Sequence, residues 1–310
     1  MLSIFLSLHS AQILRREPKI NIIQQFIRFA KPAVERFPRM ALLYRFVRDS
    51  RYVFKEPKQT PMGFKLSGNR SNGMEEGAFE QNELIIVKKC LEKTDVFINV
   101  GANIGYYCCI ALSYGKPTIA FEPIELNLRY LYKNIKANHW QNDIEIFPIA
   151  LAAKAGLIEI YGGGTGASLI QGWAGTPEQY MRLVPASTLD NVLGNRFNGE
   201  RCFVLVDIEG AERYMLEGAG KFLYLQPKPI WMVEISITEH QPKGIKINPN
   251  LLSTFQIFWD KGYEAWTADK HLRLVSQDEV KSICRGGPNT LPTHNFLFIE
   301  TGKKEEILDV

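Results

Sequence analysis

The segment NVGANIGYY, residues 99–107, sets Gly101 and Gly105 four residues apart, between a short apolar run and the start of a helical pattern. In alternating α/β chains a strand-turn-helix of this kind is where a nucleoside or its phosphates approach the backbone. Glu122 closes the next apolar run, TIAFE, 21 residues after Gly101, a position from which an acid accepts both ribose hydroxyls. Further on, VDIEGAE (206–212) carries Asp207 and Glu209 at the end of the run CFVLV, and Glu234 ends the run IWMVE. Three carboxylates at strand ends exceed what a fold requires. Crowding like charges raises at least one pKa, which prepares a base for a substrate hydroxyl. Glu209 and Glu212 also suit the first turn of a helix, where the dipole favours acids. His240, in SITEHQP, follows the same strand and titrates in the range useful for proton transfer.

The glycine spacing bears on which nucleotide is bound. A dinucleotide turn reads G-x-G-x-x-G, and counted from Gly101 the second and third glycine positions hold Asn103 and Tyr106. The pyrophosphate reading is thereby weakened. S-adenosylmethionine keeps the adenosine and replaces the phosphates with a methionine tail, so it needs the tight turn without the anion cradle. Glu122 serves either ligand. The loop GGGTGAS (162–168) has no Lys-Ser/Thr pair after its glycines, so it reads as a mobile lid over the crevice rather than a phosphate loop. His9, His139, His240, His271 and His294 are scattered without HExxH spacing, which argues against a zinc site. Five cysteines form an odd set with no CxxC pair, the pattern of buried thiols in a reducing, cytoplasmic setting.

These residues need a scaffold. From about residue 84 the chain alternates regularly: helix ELIIVKKCL, strand DVFINV, helix IGYYCCIALSY, strand TIAFE, helix ELNLRYLYKNIKA, strand IEIFPIA. A hairpin with a long glycine-rich loop is expected over GLIEIYGGGTGASL and onward to about 187. The alternation resumes with CFVLVD, GAERYMLEGA and IWMVEI, then helix LLSTFQIFWDKG, YEAWTA, LRLVS and a last strand NFLFIE. Short apolar strands followed by helices predict right-handed crossovers and a parallel sheet buried on both faces. The expected fold is α/β, a doubly wound Rossmann-like sheet of seven strands with an antiparallel strand near one edge and an N-terminal helical appendage. Ligands of such sheets bind at the carboxyl ends of the strands, where the strand order reverses.

The net charge of +4 conceals an asymmetry, because residues 1–60 hold twelve Lys and Arg against four Asp and Glu. Basic and apolar residues interleave there, in IIQQFIRFAKPAVERF and ALLYRFVRDSRYVF. This suits either the solvated face of an accessory helix or an amphipathic pair against an acidic membrane surface or partner. No recognition motif accompanies the charge, so nucleic acid is not expected. MLSIFLSL at the start has no preceding basic residues and falls far short of the roughly 20 apolar residues of a membrane span. Neither a signal peptide nor a transmembrane helix is expected.

Taken together, the motifs resemble the FkbM-type methyltransferases, a class I S-adenosylmethionine-dependent family with a seven-stranded Rossmann-like sheet. They are FEQNE (79–83), FINVGANIGYY (97–107), AFEP (120–123) with Asn127, TGASL (165–169), STLDNVL (187–193), VDIEGAE (206–212), MVEI (232–235) and NFLFIE (295–300). The resemblance spans about 74–300, leaving 1–60 as a basic appendage and 301–310 as a tail. It implies methyl transfer onto an oxygen of a sugar, polyketide, lipid or similar natural product. Carried over, the cofactor set is Asn99, Gly101, Asn103 and Gly105 on the methionine side and Glu122 at the ribose. Asp207, Glu209, Glu234 and His240 are the candidate catalytic groups, acting directly or through a divalent ion. Two positions depart from the family pattern: members usually carry aspartate where Asn99 stands and lysine where Leu205 stands. A non-catalytic adaptor and, further off, a nicotinamide-dependent oxidoreductase are the alternatives.

Overall fold

VFINV, CFVLV and IWMVE are continuous apolar runs of five residues, too short for a buried helix and rich in β-branched and aromatic side chains. In the computed structural model, which describes residues 55–68 and 73–308, they are the centre of the main sheet. Val96–Val100 (β3) and Cys202–Val206 (β9) are buried at every residue, and Ile230–Glu234 (β10) at all but its last. Successive side chains alternate between the faces. Ile98, Val100, Val204 and Val206 join one hydrophobic cluster, whereas Phe97, Phe203 and Leu205 join another on the opposite face.

The remaining strands are Lys58–Gln59 (β1), Lys65–Leu66 (β2), Thr118–Phe121 (β4), Ile144–Phe147 (β5), Ala150–Leu151 (β6), Gly156–Tyr161 (β7), Met181–Ser187 (β8), Tyr263–Thr267 (β11), Leu274–Val275 (β12) and Asn295–Glu300 (β13). The main sheet runs β12-β11-β13-β10-β9-β3-β4-β5. Its neighbours from β10 through β5 pair in parallel, and β13 lies antiparallel between β10 and β11. The expected segments all form strands, and with LRLVS supplying the two-residue β12 at the edge the sheet has eight strands rather than seven. The expected hairpin is β7 paired antiparallel with β8, to which β6 adds in parallel as a separate three-stranded sheet.

The helices are Gln81–Lys93 (α1), Tyr106–Ser113 (α2), Glu125–Ala137 (α3), Leu189–Leu193 (α4), Glu212–Glu217 (α5), Leu251–Trp259 (α6), Gln277–Cys284 (α7) and Lys304–Leu308 (α8). On α1, Leu84, Val87 and Leu91 recur at helical spacing and are buried. On α3 the buried Asn134 does more than pack. It accepts from Ser67 N and donates to Ser67 O and Ile104 O, tying the segment after β2 to the GANIG turn. The turn-rich stretch at 55–63 leads through the β1–β2 hairpin. Of the expected C-terminal tail, α8 buries Leu308 and receives Lys89 Nζ on its carbonyl. Cys90, Cys108, Cys109 and Cys202 are buried free thiols and Cys284 is exposed. Among the described residues no helix is long and apolar enough to cross a membrane. Residues 1–54, with nearly all of the basic segment and the surface expected of it, lie outside the described residues.

Candidate active site

Parallel strands β3, β4, β9 and β10 all end on one side of the sheet, and the backbone must turn sharply there to enter the helices. Gly101 follows β3 at φ 83°, and a Cβ at this position would sit 1.9 Å from the Asp207 carbonyl oxygen. Only glycine fits, because the exit of β9 crosses directly over the turn. The Gly101 and Ala102 N–H groups both donate to Phe121 O, and Asp207 N donates to Val100 O, so the three strand ends are locked together. Gly105, at φ 85°, caps the start of α2, and its missing Cβ makes room for Leu131 of α3 rather than for a ligand.

Glu122 is 3% exposed at the end of β4. Its Oε2 accepts from Asn103 N and its Oε1 from Ile124 N, each at 2.8 Å. Burial outweighs these bonds and pushes the carboxyl up to about 7. With Val100, Gly101, Asn103, Phe121, Asn127 and Asp207 it lines a cleft between the main sheet and the small one. The glycine-rich loop covers this cleft through Gly164, Ala167 and Leu169, and Asn127 Nδ2 donates to Gly164 O.

A second cavity of about 360 Å³ adjoins the first and shares Gly101, Asn103, Asp207 and Glu209 with it. Glu80, Asn99, Tyr107, Leu205, Glu234, His240 and His294 complete its polar and lower walls. Asp207, Glu209, Glu234 and His240 are therefore brought together, as are Asn99, Gly101 and Asn103; Glu122 lies in the neighbouring cleft, and Gly105 lines neither. Burial, and after it the facing carboxylates, hold Asp207 and Glu234 well above the usual carboxylate range. Glu80 and Glu209 are raised too, chiefly by burial, although Tyr107 O–H donates to the first and Trp173 Nε1 to the second at 2.7 Å. Glu212, which the sequence places beside them, turns inward, accepts from Gly210 N and is pushed up to about 7 by burial. Among the described residues no three His, Cys, Asp or Glu side chains are grouped closely enough to hold a metal ion.

The backbone around this cavity is strained. Seven described non-glycine residues have φ in the left-handed region, and five of them, Glu80, Asn103, Ala174, Glu209 and His240, line it. Such conformations cost on the order of 1–3 kcal/mol each and persist where surrounding structure imposes them, typically at functional sites. Here Trp173 supplies part of that imposition. It is 1% exposed, bonds Glu209, and packs so closely on Gly210 that a Cβ there would lie 2.5 Å from its ring.

A sequence model of the methyltransferase FkbM domain matches residues 99–265. The chain belongs to the FkbM methyltransferase family. An FkbM methyltransferase from Methylobacillus flagellatus KT is similar in structure, with 14% identity and a TM-score of 0.40, over 89% of this chain and 60% of that one. The chain thus spans about three-fifths of that protein's length. A precorrin-6y C5,15-methyltransferase from Geobacter metallireducens GS-15 aligns at 12% identity and TM-score 0.36, over 61% of this chain and 74% of that one. An O-methyltransferase family protein from Burkholderia thailandensis aligns at 11% identity and TM-score 0.31, over 71% and 55%. Among curated proteins none matches the sequence significantly.

Within the FkbM frame, the two departures turn out to be one. Asn99 and Leu205 are register partners across β3 and β9, side by side on the same face. A carboxylate and an ammonium in those positions would neighbour each other, and here both are replaced by uncharged groups. Sequence reasoning missed two residues of the cavity, Glu80 and His294, and Trp173, which supports Glu209 from behind it. Glu80 lies within FEQNE, to which no chemistry attached. His294 comes to the cleft because β13 is antiparallel, so its beginning, not its end, lies beside the tip of β10, with Glu234 opposite Asn295. His294 Nε2 stands 4.0 Å from Glu234 Oε1. Nothing local marks Trp173.

Proposed function

We propose that this protein is an S-adenosylmethionine-dependent O-methyltransferase whose acceptor is a hydroxyl of a sugar, lipid or other natural product. The observation that carries the reading is the pair of adjoining cavities sharing Gly101, Asn103, Asp207 and Glu209, one holding the strand-end Glu122 and the other the carboxylates. The donor set fits the cofactor. Glu122 accepts Asn103 N, Ile124 N and the Asn127 side chain, which leaves a carboxylate lone pair for a ribose hydroxyl. Asn103 Oδ1 is buried without a partner beside the turn, where an ammonium could donate to it. S-adenosylmethionine, when bound, supplies an electrophilic methyl group on a sulfonium. The chain's own part is to align the hydroxyl and accept its proton. Asp207 and Glu234 project from adjacent strands, so the sheet fixes their separation. A carboxylate with a raised pKa is, once ionised, a stronger base than one at its ordinary pKa, and such a base contributes roughly 10²- to 10⁴-fold.

S-adenosylmethionine binding by calorimetry, followed by turnover over a hydroxyl library, tests the reading. Asp207→Asn and Glu234→Gln should each slow turnover within that range while leaving cofactor affinity within a few-fold. Near-normal rates in both variants would remove the carboxylates from the chemistry. Loss of activity on chelation, with recovery on adding Mg²⁺, would mean that a divalent ion polarises the hydroxyl in their company. Tight cofactor binding with no turnover on any hydroxyl would favour the adaptor alternative, which the uncharged Asn99–Leu205 pair motivates.

A further inference from the structure

The acceptor cavity offers a ligand almost nothing but acceptors. Four carboxylates face it, from Glu80, Asp207, Glu209 and Glu234, and neither it nor the adjoining cleft is lined by a single Lys or Arg among the described residues. The only basic side chains on its wall are the imidazoles of His240 and His294, with Tyr106 and Tyr107 as the phenols. A second, independent feature points the same way. Asn99 is 2% exposed, lies on the cavity wall, and its Oδ1 has no hydrogen-bond partner, while its Nδ2 makes only a 3.5 Å contact with Cys108 Sγ. A buried acceptor left unmade costs free energy that a donor from a ligand recovers.

Burial raises all four carboxyls, and for Asp207 and Glu234 the neighbouring carboxylates add to it, so a cation among them is what would favour their ionised forms. The cofactor assigned above carries a sulfonium, an ammonium and a carboxylate, so it brings one net positive charge against them. A second cation on the acceptor would favour the ionised carboxylates further. An acceptor bearing phosphate or carboxylate would add to the repulsion. A neutral polyol would satisfy the acceptor atoms without relieving the charge.

Resting on the methyltransferase reading, we infer that the natural acceptor is an amino polyol, a hydroxylated molecule whose protonated amine is held among Glu80, Glu234 and the Asn99 carbonyl. The carboxylates thus choose the substrate by charge, in addition to any role as base. The cavity's volume of about 360 Å³, part of it shared with the cofactor at Gly101 and Asn103, falls within the range of small-molecule sites.

The test uses the full chain saturated with S-adenosylhomocysteine and three probes of one shape: glucosamine, glucose and glucuronate. Titration by calorimetry or ligand-observed NMR should give glucosamine a Kd at least tenfold below that of glucose, with glucuronate weaker still, and the preference should shrink as salt is added. Glu80→Gln and Glu234→Gln should each reduce the glucosamine-to-glucose ratio several-fold while S-adenosylhomocysteine binding holds. Two variants on different elements guard against a folding defect in either. Equal binding of glucosamine and glucose, preference for glucuronate, or no binding of glucosamine to the cofactor-loaded protein would each overturn the inference. Failure of the cofactor reading looks different, because S-adenosylhomocysteine itself would not bind; the three probes titrated into the protein alone would then still show or refute the charge preference.

Discussion

Ribose on Glu122, as proposed, would make cofactor affinity depend on pH in a way that can be worked from that residue's surroundings. Its two oxygens already accept Asn103 N, Ile124 N and the Asn127 side chain, leaving one lone pair for a ribose hydroxyl. Protonation takes up that lone pair, so only the ionised form receives the hydroxyl. Burial has pushed this carboxyl up to about 7. At pH 6 about one molecule in ten is then ionised, and the apparent Kd for S-adenosylhomocysteine should be roughly tenfold weaker than at pH 8. Glu122→Gln fixes the group in a neutral state and turns an NH₂ toward a backbone donor. It should weaken binding at pH 8 by about 1.5–3 kcal/mol, or roughly 10- to 150-fold, the range for hydrogen bonds to a charged group. The assay is calorimetry of both proteins from pH 5.5 to 8.5, and the quantity read is the difference between the two profiles, since the other cavity acids titrate in both. Parallel profiles, or a wild-type affinity that tightens as pH falls, would refute the placement of ribose on Glu122.

Gly101→Ala forces a Cβ to 1.9 Å from the Asp207 carbonyl at a positive φ, so it should cost roughly 2–5 kcal/mol, measured by urea unfolding. Gly105→Ala meets only the end of the Leu131 side chain and should cost less. Asn99→Asp adds a fifth carboxylate to the cavity and should destabilise the fold, whereas the double variant with Leu205→Lys should recover about 0.5–3 kcal/mol of the loss in a double-mutant cycle. Glu212 is buried and raised to about 7 in the folded chain, against a usual value near 4.5. Between these values the unfolded chain has released the proton that the folded chain retains. Its contribution to stability is therefore full below about pH 4.5, falls by about 3 kcal/mol as pH rises to 7, and is flat above. Glu212→Gln should remove that slope from urea titrations at pH 5 and pH 7.5.

Much of this architecture was legible in the residues. ELNLRYLYKNIKA reads as one helix and is one, Glu125–Ala137, because its apolar residues recur at helical spacing and Pro123 marks its approach. The strand-end position of Asp207 and Glu234 followed from apolar runs that stop at a charge, and those ends do share one cavity. What pattern reasoning could not supply was the support behind the carboxylates and the histidine beside them. Trp173 opens a single 3-10 turn with no periodicity around it, and it matters because its ring occupies the space that Gly210 leaves. His294 required knowing which strand reverses direction. Asn99 and Leu205 looked like separate departures until register set them side by side, since cross-strand neighbours are far apart in sequence.

The insertion of β13 between β10 and β11 also sets an order on assembly. Until residues 295–300 are in place, β11 has no strand of the parallel core to pair with, and β10 presents an open edge. Late, long-range pairing of this kind slows folding, because loop closure over the intervening chain must precede the gain from the contacts. His294 arrives with that strand. During synthesis the Rossmann half can therefore form and meet cofactor well before the acceptor cavity has its last wall, so a nascent or interrupted chain is expected to hold the methyl donor without a completed place for anything to receive it.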